Sequence, residues 1–370
     1  MNQKQPRNVP LNEKMACENC GAELKYLPGS PSISCEYCGY TQKILKNNEN
    51  VKFLELELKP YLEKMGSQSH SQEIAMIECR NCGANQHIEE RYKSLKCVYC
   101  AAPLIIDDAK TEQWILPGAI LPFQLDNKKT HQIFSKWVKG LWLAPNKLKK
   151  ASLDIQYTKG LYLPYWTFDA RLYADYEGHR GDYYYVTVPY TYTRDGKTVT
   201  EQRRERRIRW QYVTGNIKGF IDDTLIKASS QPENTIPPSI SHWNLDALVT
   251  FRNEYLAGFV TQKYTIPLKD AHLSSVHEAK RIASVWAKRD IGGDRQQISD
   301  IKVNLTEQTF KHILLPVYIS SYKYKGKVYH FYVNGQTGAI AGERPYSKWK
   351  VIAAVFLAIL LMITAYFLMQ

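Results

Sequence analysis

The sequence CENCGAELKYLPGSPSISCEYC, from Cys17 to Cys38, contains two Cys-x2-Cys pairs with fourteen residues between them. The same spacing recurs in CRNCGANQHIEERYKSLKCVYC, from Cys79 to Cys100, and together the two stretches hold all eight cysteines of the chain. A Cys-x2-Cys pair turns sharply and directs two sulfurs at one point, so two pairs complete a tetrahedron suited to Zn²⁺. Gly21, Gly39 and Gly83 each follow a pair, where we expect positive φ.

We therefore predict two zinc ions, both structural, because four cysteines leave no open coordination position. The predicted ligands are Cys17, Cys20, Cys35 and Cys38 in the first site and Cys79, Cys82, Cys97 and Cys100 in the second. The alternative is two disulfide frameworks in a secreted protein. The polar start MNQKQPRNVP, which has no features of a signal peptide, and the identical spacing favour the metal. Each unit is too short for a sufficient core, so metal binding would supply its folding energy.

The C-terminal sequence VIAAVFLAILLMITAYFLM, residues 351–369, has no charge, proline or glycine. As a helix it would reach about 28 Å, close to the hydrocarbon thickness of a bilayer. A buried core helix is the alternative, but such helices usually keep a polar face, and this one offers only Thr364 and Tyr366. We predict a single membrane span.

Positive charge flanks the predicted span on its N-terminal side, at Arg344, Lys348 and Lys350, with Trp349 among them. The positive-inside rule then places residues 1–350 in the cytoplasm, at the bacterial inner membrane. That compartment is reducing, which suits thiolate ligands of zinc.

The chain of 370 residues has a formal net charge of +13 and remains basic with both zinc sites filled. Such a charge predicts an anionic partner. Its densest part is RRERRIR, whose arginines are Arg203, Arg204, Arg206, Arg207 and Arg209. On a strand, residues 203, 207 and 209 would share one face and 204 and 206 the other. Two interpretations stay open: an edge strand charged against aggregation, or a contact with anionic lipid or an acidic partner.

Between the second cysteine stretch and the span, residues 111–345 alternate apolar and polar residues and are rich in tyrosine. The segments LYLPYWTFDARLYADYEG, YYYVTVPYTYT and KTVTEQRRERRIRWQYVTG predict successive antiparallel strands, with a turn at Asp195-Gly196. The tyrosines fit a half-solvated sheet better than stacking platforms for bases. Two strand–helix–strand patterns, with helices after Asp126 and after residue 267, suggest two related α+β halves.

The predicted fold is thus two small zinc ribbons, an α+β domain with antiparallel sheets, and one transmembrane helix. The predicted domains are residues 1–42 (first ribbon), 43–74 (linker), 75–110 (second ribbon), 111–345 (α+β domain) and 346–370 (anchor). Signals for an enzyme are weak. The sequence lacks the motifs G-x4-G-K-[ST], H-E-x-x-H and G-x-S-x-G, and no cysteine remains as a nucleophile. We predict that the protein is not an enzyme.

Over nearly its full length the chain resembles a bacterial family of membrane-anchored tandem zinc-ribbon proteins, often named "primosomal protein N′ (replication factor Y)" or superfamily II helicase. The resemblance rests on the cysteine pairs, on LYLPYWTF (residues 161–168), and on LLPVYISSY and VNGQTGAIAGERPYS before the span. No nucleotide-binding motif supports the helicase name. The resemblance implies a membrane adaptor, associated with phage-shock and SPFH proteins in membrane stress. The alternative is a membrane-tethered protein that binds nucleic acid, although we expect such binding to be weak.

Overall fold

The structure of the protein is a computed structural model. It describes residues 15–45, 55–63, 71–78, 85–87, 95–96, 103–104, 110–150, 158–194, 196–229, 237–325 and 327–368. The strands in these ranges are β1 (Leu24–Tyr26), β2 (Ser32–Cys35), β3 (Thr41–Lys43), β4 (Leu56–Glu57), β5 (Ser71–Glu78), β6 (Asn85–His87), β7 (Leu95–Lys96), β8 (Pro103–Leu104), β9 (Lys110–Ile115), β10 (Ala119–Ile120), β11 (Lys159–Arg194), β12 (Lys197–Lys227), β13 (Val249–Thr250), β14 (Val260–Thr261), β15 (Arg295–Tyr324), β16 (Lys327–Asn334) and β17 (Ile340–Gly342). The helices are α1 (Leu58–Glu63), α2 (Asn127–Gly140), α3 (Asn146–Lys150), α4 (Leu268–Ile291) and α5 (Lys348–Leu368).

Two long antiparallel strands, β11 and β15, form the centre of a nine-stranded sheet. Each carries a Leu-Pro pair, and Leu163 lies opposite Leu315. Both faces of the sheet are buried here: Leu163 and Leu315 pack into one core cluster, whereas Tyr162 and Leu314 pack into the other. Burial on both faces explains why these segments are nearly continuous apolar runs rather than alternating ones.

The pairing around this centre is reciprocal. The short strand before α2, β10, lies parallel to β15 at Ile313 and Leu314. The short strand before α4, β14, lies parallel to β11 at Leu161 and Tyr162. Beyond these points each long strand forms a hairpin with the strand that follows it, β11 with β12 and β15 with β16. This is the arrangement that two related strand–helix–strand halves would produce.

The predicted antiparallel sheets are present, and the described body is mostly β rather than an even mixture of helix and sheet. Two predicted strands, ending at Gly178 and beginning at Tyr183, are in fact one strand of 36 residues. Gly178 does not end the strand. A Cβ on this residue would lie 2.3 Å from the carbonyl oxygen of Gln297, so glycine lets β15 approach closely. The predicted two-residue turn after β11 is confirmed, since Arg194 lies opposite Lys197.

The two longer helices of the body pack on the sheet in different ways. At α2, the predicted capping residue is confirmed: the Asp126 carboxylate accepts the N–H of Lys129 at 2.7 Å. At α4, the larger apolar residues divide: Ile282 and Trp286 pack against the core, whereas Val276 and Val285 are exposed. The buried face has small residues every fourth position, namely Ala271, Ser275, Ala279, Ala283 and Ala287. Small residues let the helix lie close to the sheet.

The C-terminal helix, α5, is long and apolar enough to cross a membrane, with a mean hydropathy of 2.3 over Lys348–Phe367. None of this window is buried against the part of the chain that the structure describes. A helix that exposes apolar side chains all round needs an apolar solvent.

Candidate functional sites

The first cysteine set converges as the spacing predicts. The Sγ atoms of Cys17, Cys20, Cys35 and Cys38 all lie within 4.8 Å of one another. The Sγ atoms of Cys17 and Cys38 are 3.6 Å apart, and those of Cys20 and Cys35 are 3.5 Å apart. Disulfide sulfurs would lie at about 2 Å. Four sulfurs each about 2.3 Å from a shared Zn²⁺ would lie at close to the observed spacing, so the set can hold a metal ion.

The backbone builds the site from two matching turns. Gly21 and Gly39 have φ of +72° and +75°, as predicted, and their N–H groups donate to the carbonyls of Cys17 and Cys35. The Tyr40 N–H, together with the Asn19 side chain, lowers the pKa of Cys38 to about 6. The thiolate is the form that binds metal, so these two contacts favour the ligand state of Cys38.

The cysteine site is joined to the body. Cys17, Cys35 and the β1–β2 hairpin share a core cluster with residues of α2 and the central strands. Tyr26 packs edge-on against Tyr255, with ring centroids 5.3 Å apart, and its hydroxyl donates to the carbonyl of Phe123 at 3.3 Å. A metal ion bound here would therefore stabilise the body as well as the β1–β2 hairpin.

The second predicted metal site lies outside the described residues. Cys79, Cys82, Cys97 and Cys100 all fall in undescribed segments. Strands β5, β6, β7 and β8 flank these segments as short antiparallel pairs.

The arginine-rich segment lies on a long β-hairpin. β15 accompanies β11 only as far as Gly181, which pairs with Arg295. Beyond that point β11 and β12 pair with each other, from Asp182 opposite Arg209 to Arg194 opposite Lys197. No third strand joins them among the described residues. We call this ribbon, residues 182–194 and 197–209, the arm. Its thirteen residue pairs span about 40 Å.

One side of the arm carries arginines and aromatic rings without acidic residues, and it continues below the arm to Trp210 and Tyr212, where Glu177 is hydrogen-bonded to Tyr212. We call this side the Trp face. It includes Arg204 and Arg206, opposite Thr187 and Tyr185, and at the foot of the arm Trp210 and Tyr212. The guanidinium groups of Arg204 and Arg206 lie over Tyr185 and Tyr183, at 5.4 and 4.3 Å from the ring centroids. Tyr185, Tyr212 and Trp210 are 59%, 57% and 45% exposed. Arginine, tyrosine and tryptophan are the residues most enriched in binding hot spots.

The opposite side, which we call the Glu face, has its own counter-charges. Arg203, Arg207 and Arg209 lie here, as the predicted alternation requires, together with Glu201 and Glu205. Glu205 lies 3.8 Å from Arg207. The two faces thus differ in that carboxylates accompany the arginines only on the Glu face of the arm.

The arm is fixed at its foot and protected along its edges. The Asp294 carboxylate accepts the N–H of Tyr183 at 2.6 Å, and Arg295 donates to the Tyr183 hydroxyl at 2.7 Å. The Tyr183 N–H therefore points away from β12. Because N–H groups alternate along a strand, the nitrogen of Pro189 points to the same free edge. Proline has no N–H to offer a further strand, and the arginines of β12 discourage pairing at the other edge.

A third cluster of ionisable groups is buried in the sheet. The Lys311 ammonium lies 2.8 Å from Asp223, 3.6 Å from Asp169 and 3.4 Å from Glu55. Burial alone would lower the pKa of Lys311, but the three carboxylates raise it. Asp169 also accepts the N–H of Asp223 at 2.6 Å, next to breaks in the strand register. Because the Lys311 ammonium pairs with all three carboxylates, we assign this cluster a structural role. No local pattern in the sequence indicates this cluster, since a lysine in a strand is normally exposed.

Comparisons with known proteins add one relative. No family model matches the chain, and no solved structure matches it. The "Uncharacterized protein YdjG" of Bacillus subtilis (strain 168) is 24% identical over 246 residues, covering 65% of this chain and 67% of that protein. The similarity supplies a bacterial relative, and the name of that relative states no activity or ligand.

Proposed function

We propose that the protein is a membrane adaptor, anchored by α5, whose arm binds an acidic surface of a partner protein through its Trp face. The observation that carries this proposal is the arm itself. Its Trp face combines exposed Tyr185, Trp210 and Tyr212 with two arginines and, within the arm, has no carboxylate. A ribbon of this length adds no core to the body, so its side chains are available for recognition.

We propose that zinc occupies the Cys17–Cys38 site and that the second cysteine set binds a second zinc ion. Sulfur spacing and a closed set of four cysteines support a structural role in the first site. There the metal would fix the β1–β2 hairpin against the body. We place the body in the cytoplasm at the bacterial inner membrane, on the basis of the flanking positive charge.

A protein partner fits the arm better than the lipid beside the anchor. Tyr162, near the start of β11, shares a core cluster with Leu141 and Ala144. The loop that contains Ala144 is hydrogen-bonded to the first turn of α5, so this end of β11 is the end near the anchor. The arginines pair with residues 182–188 of β11, at least twenty residues further along the strand. At about 3.3 Å per residue this separation is about 65 Å or more along the strand. By resemblance, we propose that the partner is of the SPFH or phage-shock type and that the complex serves membrane stress or organisation.

Nucleic-acid binding is the second candidate, and one observation favours it. Exposed Trp210 and Tyr212 near arginines are groups on which bases can stack. Such binding would neutralise phosphates and weaken steeply as salt rises. We expect it to be weak and without sequence preference.

Co-purification with variants of each face tests the proposal. Tagged full-length protein would be captured from gently solubilised membranes, with nuclease present. One variant combines Arg204→Gln, Arg206→Gln and Trp210→Ser on the Trp face. The matched control combines Arg203→Gln, Arg207→Gln and Arg209→Gln on the Glu face and removes more positive charge.

We expect the Trp-face variant to lose a co-purifying protein at least tenfold, while the control keeps most of it and both retain the zinc content of the parent. Equal losses would mean that net charge alone matters. A nuclease-sensitive association lost from the Trp-face variant would favour the nucleic-acid alternative. No loss in either variant would contradict the proposal.

A further inference from the structure

The start of α5 is tied to a loop of the body. Lys350 donates to the carbonyls of Trp142 and Ala144, at 3.1 and 2.9 Å, and to the side chain of Asn146, at 2.8 Å. The N–H of Ser347 donates to the carbonyl of Leu143 at 2.9 Å. These bonds fix residues 142–146 at the level of Lys350, one residue before the apolar span.

The same loop is fixed to the body from its other side. Leu141, Ala144 and Leu148 are buried in the core cluster that contains Tyr162 and Phe331. The loop therefore joins the first turn of α5 to the body through bonds on both sides, and the helix cannot swing freely at this point.

One large side chain of the loop faces outward. Trp142 is 65% exposed, although its neighbours on both sides in the sequence are fully or partly buried. Trp349, on the first turn of α5, is 82% exposed. Tryptophan at this depth is typical of the membrane–water interface, where an apolar ring and a polar N–H are both accommodated.

Positive charge surrounds the two tryptophans. Lys139 lies in the last turn of α2, Lys147 in the first turn of α3 and Lys348 in the first turn of α5, and all three are exposed. A lysine near a bilayer that contains anionic lipid contributes about 1 kcal/mol of attraction. The charges and the aromatic rings are thus placed as a membrane surface would require.

We propose that residues 142–146, which we call the Trp142 loop, form a second membrane contact. In this contact Trp142 inserts into the interface while the flanking Lys139 and Lys147 meet anionic phospholipid headgroups. This inference rests on the proposed anchoring by α5. The contact gives the body a fixed orientation on the membrane, with the arm at the far end of β11. The anchor is then one point of a two-point attachment rather than a flexible tether.

Quenching of tryptophan fluorescence by brominated lipid tests the contact. Full-length protein would be reconstituted into vesicles of phosphatidylcholine and phosphatidylglycerol that carry bromine high on the acyl chains. The variants are Trp142→Phe, Trp349→Phe as a marker of the anchor, and Trp210→Phe at the foot of the arm as a control.

We expect Trp142→Phe and Trp349→Phe each to reduce the quenched fraction measurably, and Trp210→Phe not to reduce it. In the parent protein, quenching of Trp142 should increase with phosphatidylglycerol content. In a variant that combines Lys139→Gln and Lys147→Gln, this increase should be lost. If Trp349→Phe reduces quenching and Trp142→Phe does not, anchoring stands and the second contact is wrong. If neither reduces it, the anchoring proposal fails too.

Discussion

The base and the arm of one β-hairpin differ in almost everything except their pairing. In the base, residues 159–181 of β11 are covered by β15 on one edge and by α4 or the core on a face. In the arm, residues 182–194 pair with no strand but β12 among the described residues, and only the foot of the arm contacts Asp294 and Arg295. An isolated two-stranded ribbon is marginal in water, so the arm depends on its foot at Asp294 and on cross-strand contacts. Packing dictates the sequence of the base, whereas the side chains of the arm are free to serve recognition.

The cysteine site tests whether the β1–β2 hairpin, which carries the cysteines, folds as one unit with the base of the β11–β12 hairpin. Structural zinc supplies on the order of 10 kcal/mol in isolated zinc-binding peptides. Because Cys35 is buried in the shared core, we expect Cys35→Ser to remove one zinc ion per chain and to destabilise the body by several kcal/mol. Elemental analysis and thermal unfolding in detergent would measure both.

The matched control for Cys35→Ser is a pair of substitutions in the arm. Arg204→Gln with Arg206→Gln should leave zinc content and unfolding temperature unchanged, because both side chains are exposed. A Cys35→Ser protein with unchanged zinc content would contradict the metal site. Loss of zinc without any change in the unfolding temperature would show that the β1–β2 hairpin folds independently of the base.

Replacing Lys311, which lies in the sheet at the base of the hairpin, should give the next largest loss of stability. Lys311→Met would leave the carboxylate of Asp169 buried without its cation, so we expect a loss of about 3–5 kcal/mol in the free energy of unfolding. Arg171→Met is the matched control, because the Arg171–Glu307 pair is exposed and should cost about 1 kcal/mol or less. Similar losses in denaturant unfolding of the two variants would argue against a buried cluster.

Low pH should destabilise the sheet at the base of the β11–β12 hairpin through His312. Burial lowers the pKa of His312 to about 4, from an ordinary value of 6.5. Between these values the unfolded chain binds a proton that the folded chain does not. The stability due to the neutral ring is therefore present above about pH 6.5 and is lost as the pH falls towards 4, on the order of 3 kcal/mol in all.

Replacement of His312 isolates this contribution from that of other acidic groups. Unfolding of His312→Asn should depend less on pH between 6.5 and 4 than unfolding of the parent, whatever its absolute stability. His277→Asn, at an exposed position of α4, should keep the slope of the parent. An unchanged slope in His312→Asn would mean that the ring is protonated in the folded protein.

The smallest effect on stability is expected in the arm. Pro189→Thr would restore an N–H at the free edge of β11 without removing a bond to β12. We expect the free energy of unfolding to change by less than about 0.5 kcal/mol, while self-association rises with concentration. Light scattering in detergent would detect it, and Val188→Thr is the control. Equal behaviour of the two variants would show that the proline does not guard the edge.

Local signals in the sequence predict much of this molecule. Cysteine spacing identifies the first metal set, glycines after the pairs mark positive φ, and alternation assigns each arginine to a face of the arm. These features depend on neighbouring residues only. The span follows from length and composition, which do not require a tertiary structure either.

Features that depend on distant contacts escaped prediction. Gly178 resembled a strand end, but it accommodates the backbone of Gln297. The fully buried face of α4 consists largely of small residues because the helix lies close to the sheet, so the larger apolar residues mark that face only in part: Ile282 and Trp286 pack against the core, and Val276 and Val285 are exposed. Lys311 is neutralised by carboxylates from three other segments of the chain, and no local pattern reveals them.

Site-specific photo-crosslinking in the arm tests the central claim most directly. A photoreactive amino acid would replace Tyr185 on the Trp face or, as a control, Tyr184 on the Glu face, in full-length protein in cell membranes. These neighbours share the same height on the arm and point in opposite directions. We predict a protein adduct from position 185, weakened by Arg206→Gln, and little or none from position 184. Equal adducts from both positions, none from either, or an adduct to nucleic acid or lipid would contradict the adaptor account.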